Sequence, residues 1–432
     1  MLTFIKKQSS GRIIASGFAL TILIGSLLLM LPCSIKSGVT LNYIDSLFTS
    51  TSAVCVTGLI TVDPGDTFTV FGQTIIALMI QIGGLGVASI GTGVILLLGK
   101  KVNIKGRNII KDSMNLDSGR GLVVFLKNIF LMTLTIELIG AILSFTVFIK
   151  DYPLKKAIGI SLFHSISAFN NAGFDILGGM KSLSNYQDNV MLNLITAGLI
   201  ILGGIGFLVI KEVRVKKFRW KKFSMHTKVV LFMSFVLILF GTLLLKLTEN
   251  ITWLGAFFSS VSARTAGFAS FNMGDFTKSG LLVMIFLMFV GASSGSTGGG
   301  VKTGTLFVLL QGIKSSATNK SEKAFKFSIP KEAFKKASVI VLLGLGVVFL
   351  GTFLMGIMEP DLAFENILFE ITSAFGTAGL STGITPGLSL GSKILVILIM
   401  FTGRLGPLTI ASLWYFTKVE RVKYPDGNIA IG

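Results

Sequence analysis

The stretch Ser52-Ala53-Val54-Cys55-Val56-Thr57-Gly58-Leu59 decides the reading of this chain, because the chain repeats it three times. The echoes are Ser167-Ala168-Phe169-Asn170-Asn171-Ala172-Gly173-Phe174, Ser262-Ala263-Arg264-Thr265-Ala266-Gly267-Phe268 and Ser373-Ala374-Phe375-Gly376-Thr377-Ala378-Gly379-Leu380. The third is one residue shorter between its alanine and its glycine. The signature glycines lie 115, 94 and 112 residues apart, room for one supersecondary unit each. Segments too short to span a membrane precede the four phrases, at 42–53, 154–168, 252–263 and 363–374, and read as short helices.

Around these units lie eight apolar segments, at 13–31, 71–98, 122–148, 190–210, 229–247, 281–310 (broken), 337–358 and 394–416. Each reaches the roughly 20 residues that a spanning helix needs. The fold expected is an all-α membrane protein with eight transmembrane helices and four re-entrant pore helices, arranged as four pseudo-symmetric helix–pore–helix repeats around one pore. The repeats take residues 1–99, 100–227 (with the preceding cytoplasmic loop), 228–320 and 321–417, and a cytoplasmic tail occupies 418–432. The opening Met1-Leu2-Thr3-Phe4-Ile5-Lys6-Lys7 leads into the first apolar run with no small-residue cleavage site after it, so that run is expected to be retained as a span.

Composition agrees. Of 432 residues, 51% are hydrophobic and 14% charged, against about 25% charged in ordinary soluble domains. The net charge of +19 would by itself suit nucleic acid, but so apolar a chain needs lipid as its solvent, so no nucleic-acid partner is expected. The charge also has a side. The termini, the basic connections and the helix ends beside them hold 30 of the 39 Lys and Arg residues with 7 acids; the opposite side holds 9 with 12 acids, and Glu137 sits within a span. The positive-inside tendency makes the basic side, with both termini, cytoplasmic. Cys33 and Cys55 form no CxxC pair, so they fix neither redox compartment nor metal, and His164 and His226 lack ligand spacing and read as surface or structural histidines.

Irregular backbone is tolerated at membrane depth only inside protein or along a water-filled path. Four related glycine loops therefore suggest a ring around one axis. Backbone carbonyls can replace the hydration shell of a cation there, and the short helices would present their partially negative C-terminal ends to it. The downstream helices repeat a second pattern, Gly83-Gly84-Leu85-Gly86, Gly203-Gly204-Ile205-Gly206 and Gly403-Arg404-Leu405-Gly406, read as close helix packing.

In its repeat plan and in Val56-Thr57-Gly58-Leu59, Asn171-Ala172-Gly173-Phe174, Thr265-Ala266-Gly267-Phe268 and Thr377-Ala378-Gly379-Leu380, the chain resembles the Trk/Ktr/HKT potassium transporter superfamily over nearly its whole length. Eight spans and the ending Tyr424–Gly432 resemble its KtrB-type membrane subunit. The resemblance implies potassium uptake across a bacterial plasma membrane, with Val56, Thr57, Gly58, Asn171, Ala172, Gly173, Thr265, Ala266, Gly267, Thr377, Ala378 and Gly379 as a selectivity filter. Potassium is the only metal expected, as the transported ion held by backbone carbonyls, and no covalent cofactor is expected. The resemblance further implies a homodimer, a cytosolic nucleotide-binding ring of KtrA type, and sodium as an activating or symported ion. Only the first loop keeps Val-Thr-Gly, which implies looser selectivity than in a potassium channel.

The segment 291–304 holds six glycines, one alanine and five hydroxyl residues, a poor helix inside an apolar run, and reads as a break. Its near match to a phosphate loop fails, because Val301 separates Gly300 from Lys302. The resemblance makes it a gate, with Gly291, Gly295, Ser296, Gly298, Gly299, Gly300 and Arg404 as its residues. Arg404 either adds an electrostatic barrier, ties down the loop, or joins helices by hydrogen bonds. Glu137 is expected to make a structural hydrogen bond, and Arg264 to brace the third loop. An ion-coupled secondary transporter of another solute is the alternative; it would carry inverted repeats and polar groups at the midplane. An enzyme would need clustered His, Asp or Glu, and the sequence has none.

Overall fold

In the computed structural model of the protein, residues 9–97, 106 and 121–413 are described. The chain's opening, most of the first basic connection and the tail from Lys418 lie outside them.

Among the described residues, sixteen helices of six residues or more fall into four sets of four. The first set is α1 (Ser10–Leu29), α2 (Tyr43–Cys55), α3 (Val70–Leu85) and α4 (Val87–Leu97). The second is α5 (Leu122–Phe148), α6 (Leu154–Phe169), α7 (Val190–Ile205) and α8 (Phe207–Lys216). The third is α9 (Met225–Thr248), α10 (Trp253–Ser262), α11 (Lys278–Phe289) and α12 (Thr303–Thr318). The fourth is α13 (Lys331–Met358), α14 (Phe364–Gly376), α15 (Leu390–Leu405) and α16 (Pro407–Ser412). A two-residue hairpin, Lys323–Ala324 against Phe327–Ser328, joins the third set to the fourth.

Each set opens with a long helix, and α1, α5, α9 and α13 are the four described helices long and apolar enough to cross a membrane unbroken. Their outer faces expose large apolar side chains, such as Leu27 on α1, Leu134 on α5 and Phe349 on α13, while hydroxyls such as Ser50, Thr51 and Ser165 are buried. Apolar outside and polar inside suits a lipid solvent.

The short second helices are all present, within two residues of the expected bounds, and each docks on the long helix before it. Ser50, Ser165 and Ser260 donate to the Ile22, Glu137 and Ile238 carbonyls at 2.7, 2.6 and 2.9 Å. Gly25, Gly140 and Gly241, three residues further along the long helices, leave room for these hydroxyls. In the fourth set Gly351 admits Ile371 instead.

The third element of each set differs from expectation. The apolar runs at 71–98 and 190–210 are not straight spans: α3 and α4 meet at 100°, and α7 and α8 at 98°. Gly86, Gly206 and Gly406 adopt φ of 85°, 92° and 87° with extended ψ, which ends a helix, and Pro407 opens the next one after Gly406. Only the break in the third set, between α11 and α12, was legible as a break, and it is also the longest.

Candidate ion pathway

The four short helices end at Cys55, Phe169, Ser262 and Gly376, and each is followed at once by its glycine loop. Thr57, Ala172 and Ala378 donate their N–H to the carbonyls of Ser52, Ser167 and Ser373, all at 2.8 Å. Val56, Asn171 and Thr377 donate to Ala53, Ala168 and Ala374. This pair of bonds is a Schellman ending, which fixes the spacing from the end of the short helix to the loop in these three phrases. In the shorter third phrase Ala266 instead closes a tighter turn on Ser262 at 2.9 Å. The Schellman position that usually takes glycine holds Val56, Asn171 and Thr377 here, at φ of 57°, 58° and 49°, and Thr265 stands at 73° in the third loop. Left-handed β-branched residues cost about 1–3 kcal/mol each and persist only where the surroundings impose them.

Two residues on, Gly58, Gly173, Gly267 and Gly379 are left-handed as well, with φ of 99°, 69°, 75° and 79°. They form a closed ring. A Cβ on Gly58 would fall 2.6 Å from the Ala172 carbonyl oxygen, one on Gly173 2.7 Å from that of Ala266, and one on Gly267 3.1 Å from that of Ala378. The circuit closes where a Cβ on Gly379 would overlap the Thr57 carbonyl. The twelve residues expected to form the filter are thus brought together, four backbones converging with no room for side chains at the glycines. The C-terminal ends of the four short helices, with their partial negative charge, surround the same point.

Beneath the ring lies the break 290–302. Gly298 packs against the Thr265 side chain, and the Gly299 N–H donates to Thr377 Oγ1 at 2.9 Å. On the second set the loop is held by Ser293 N to Gly204 O (3.0 Å) and Phe207 N to Gly295 O (3.1 Å). Arg404 reaches it from the fourth set: its guanidinium donates to the Thr297 carbonyl and, with its other arm, to the Gly83 carbonyl of the first. The loop residues therefore contact or are tied to all four sets, and Arg404 holds the loop down by hydrogen bonds. Lys302, which in the sequence is only the lysine of an incomplete phosphate-loop pattern, donates to the Gly298 and Gly299 carbonyls at 2.7 and 3.1 Å. Only its position at the end of a glycine run signals this.

The paired glycines pack, as expected. Gly83, Gly203 and Gly403 sit against the carbonyls of Val54, Phe169 and Phe375, letting α3, α7 and α15 touch the ends of the short helices. Glu137 is buried and accepts from Asn170 Nδ2 at 2.9 Å and from Gln81 Nε2 at 3.3 Å, joining the first set to the second beside the second loop. Arg264 donates to Ser234 on α9, at 3.0 Å to its carbonyl, and braces the third loop from behind. His164 is a packed core histidine, 2.9 Å from Thr196 Oγ1. Among the described residues, no cluster of His, Cys, Asp or Glu fit for a metal occurs.

On the far side of the ring from the break, Asp175 follows the second loop closely. Burial, reinforced by the nearby Asp63 and Asp66 carboxylates, outweighs a hydrogen bond from the Leu177 N–H and pushes its pKa up to about 7. Asp63 accepts from Met180 N at 2.6 Å and Asp66 from Gly179 N at 2.8 Å, so the first set's outer leg is sewn to the second's.

A ring of four strained glycine loops over a buried break is a feature that can be compared across proteins. The TrkH family, described as cation transport proteins, matches residues 10–417. The chain belongs to that family. It is 39% identical to the Ktr system potassium uptake protein B of Bacillus subtilis, over 98% of this chain and 96% of that protein. It is 36% identical to the potassium/sodium uptake protein NtpJ of Enterococcus hirae, over 99% and 98%. In fold it is similar to the crystal structure of the potassium transporter TrkH from Vibrio parahaemolyticus, with a TM-score of 0.75 at 18% identity, covering 95% of this chain and 86% of that one. The protein is thus a largely helical, multi-pass member of a family of membrane cation transporters, a transport family rather than a catalytic one.

Proposed function

We propose that the protein takes up potassium through the ring of Gly58, Gly173, Gly267 and Gly379, whose carbonyls replace the water around the ion. The closed circuit of four glycines is the observation that carries this reading. Relatives named as potassium uptake proteins over nearly their full length support the choice of ion. Thr57, Ala172, Ala266 and Ala378 supply the nearest carbonyls, and Val56, Asn171, Thr265 and Thr377 the next ring inward.

Each set of four helices is one repeat of an eightfold-spanning, four-repeat pore, at 1–99, 100–227, 228–320 and 321–417. The long helices, and the broken third elements taken as bent spans, make up the eight. The membrane is the bacterial plasma membrane, with both termini in the cytoplasm; the sidedness of lysine and arginine supports this. The break, with Gly291, Gly295, Ser296, Gly298, Gly299 and Gly300 and the clamp Arg404, is the gate. On this reading opening requires Arg404 and Lys302 to release its carbonyls. A homodimer served by a cytosolic nucleotide-binding ring completes the system, and sodium acts as a second, activating or coupled, ion; the name of NtpJ is consistent with that.

The test is rubidium uptake in cells lacking their own potassium transporters. Expression of this chain, with its cytosolic partner, should restore uptake that potassium competes for and a neutral solute does not. No uptake above empty-vector cells contradicts the reading.

A further inference from the structure

The 98° bend at Gly206 swings α8 away from α7 and leaves a wedge between α8 and the start of α5, enclosing about 420 Å³. Its floor is apolar: Phe125, Ile129 and Met132 lie on one face of α5, and Phe207 opens α8. Its rim is cationic. Lys211 and Arg214 follow Phe207 at four and seven residues, so all three share a face of α8. Lys211 lies over the Phe125 ring, with Nζ 5.0 Å from the centroid.

Among the described residues, neither Lys211 nor Arg214 makes a salt bridge. The one carboxylate of α8, Glu212, is taken up elsewhere: it accepts from Ser224 N at 2.9 Å, from Ser224 Oγ at 2.6 Å, and from Lys216 and Thr227. The segment 98–120, next to α5 in sequence, carries Lys100, Lys101, Lys105, Arg107, Lys111 and Arg120 against Asp112 and Asp117, so it has the same sign as the rim. An apolar floor under a cationic rim that has no salt bridge among the described residues is complementary to one kind of molecule in a membrane.

We infer that the wedge between α5 and α8 binds an anionic phospholipid of the inner leaflet, its phosphate on Lys211 and Arg214 and its upper acyl methylenes on Phe125, Ile129, Met132 and Phe207. Basic pockets between helices on the cytoplasmic side hold anionic headgroups in this way. The site also touches the break. Phe207, the first residue of α8, donates its N–H to Gly295 O at 3.1 Å, and Gly206 lies against the Ser294 and Gly295 carbonyls. A lipid that holds α8 in place therefore holds one wall of the loop. Its leaflet and its effect on flux rest on the orientation and gate proposed above; its binding does not.

Native mass spectrometry of the purified protein, exposed to phosphatidylglycerol and phosphatidylcholine together, measures the binding without transport. Phosphatidylglycerol should be retained in preference. Lys211→Gln and Arg214→Gln should each weaken that preference about fivefold, on the roughly 1 kcal/mol that each basic residue contributes near an anionic surface. Both side chains are exposed, so the variants should melt with the wild type, and Lys155→Gln, far along the chain and outside the wedge, should change nothing. Equal retention of the two lipids, an unaltered preference in both variants, or displacement by inorganic phosphate as readily as by lipid would overturn the inference. Rubidium flux into vesicles with and without phosphatidylglycerol adds the coupling: wild-type flux should depend on the lipid and that of Arg214→Gln should not. Intact lipid preference in a protein that moves no rubidium would instead count against the proposed function alone.

Discussion

The ring of glycine loops and the breaks beneath it are built on opposite plans. In the ring, four chain segments do one thing: a short helix ends, a residue turns left-handed, and a glycine closes against the next loop. Below it, three of the breaks are single glycines, at Gly86, Gly206 and Gly406, whereas the third is thirteen residues long and lies against the other segments. An ion on an axis sees equal ligands only if all four segments agree, so the ring tolerates little variation. A plug needs only one chain to cross the path, so three breaks can stay minimal while one grows. On the proposed function, selectivity and gating are separated by symmetry as well as by depth.

The difference can be broken from either side. Gly379→Ala should be the most damaging change, because its Cβ overlaps the Thr57 carbonyl inside the ring. Left-handed strain of about 1–2 kcal/mol alone corresponds to roughly tenfold, so rubidium uptake should fall at least that far. Gly86→Ala, at a break where the nearest atom would be 3.8 Å away, carries only the strain and should lose less. Uptake equal in the two variants would erase the distinction.

Deleting residues 295–300 should act the other way and raise flux in the absence of the cytosolic partner. Arg404→Gln should raise it less, since Lys302 still holds the loop. A deletion that lowers flux would show the loop to be a support. Asn170→Ala tests the staple between the first two sets: losing its 2.8 Å bond to Gln81 and leaving the Glu137 carboxylate without its best donor should cost about 1–3 kcal/mol, read as a lower melting temperature with little change in ion preference.

The smallest effect expected is at the mouth. With its pKa raised to about 7, Asp175 is charged above that pH and neutral below it. Uptake should therefore decline as external pH falls through about 7, and Asp175→Asn should flatten that profile. A profile unchanged by the substitution would remove the carboxylate from the path.

The sequence disclosed the ring better than the scaffold around it. Short helices and signature glycines stand out because each phrase repeats Ser-Ala and Gly at nearly fixed spacing, and the Schellman ending explains the spacing after the fact. The straight spans expected at 71–98 and 190–210 misled because hydropathy is blind to direction: a glycine with positive φ turns an apolar helix without changing its composition. The docking of Ser50, Ser165 and Ser260 opposite Gly25, Gly140 and Gly241 was a second repeat, hidden because its two halves lie about 20 to 25 residues apart. Lys302 was legible only as a motif that failed, since nothing in a sequence says which carbonyls a lysine will meet. Left-handed Val56, Thr265 and Thr377 run against their intrinsic preference, so local propensity does not foretell them.

The central claim is that four loops make one cation site. A crystal of the protein soaked in rubidium, read by anomalous scattering, tests it directly. The account predicts a peak on the axis among the carbonyls of Thr57, Ala172, Ala266 and Ala378, lost in Gly379→Ala. A wild-type ring without a peak, with rubidium bound elsewhere in the molecule, would contradict it.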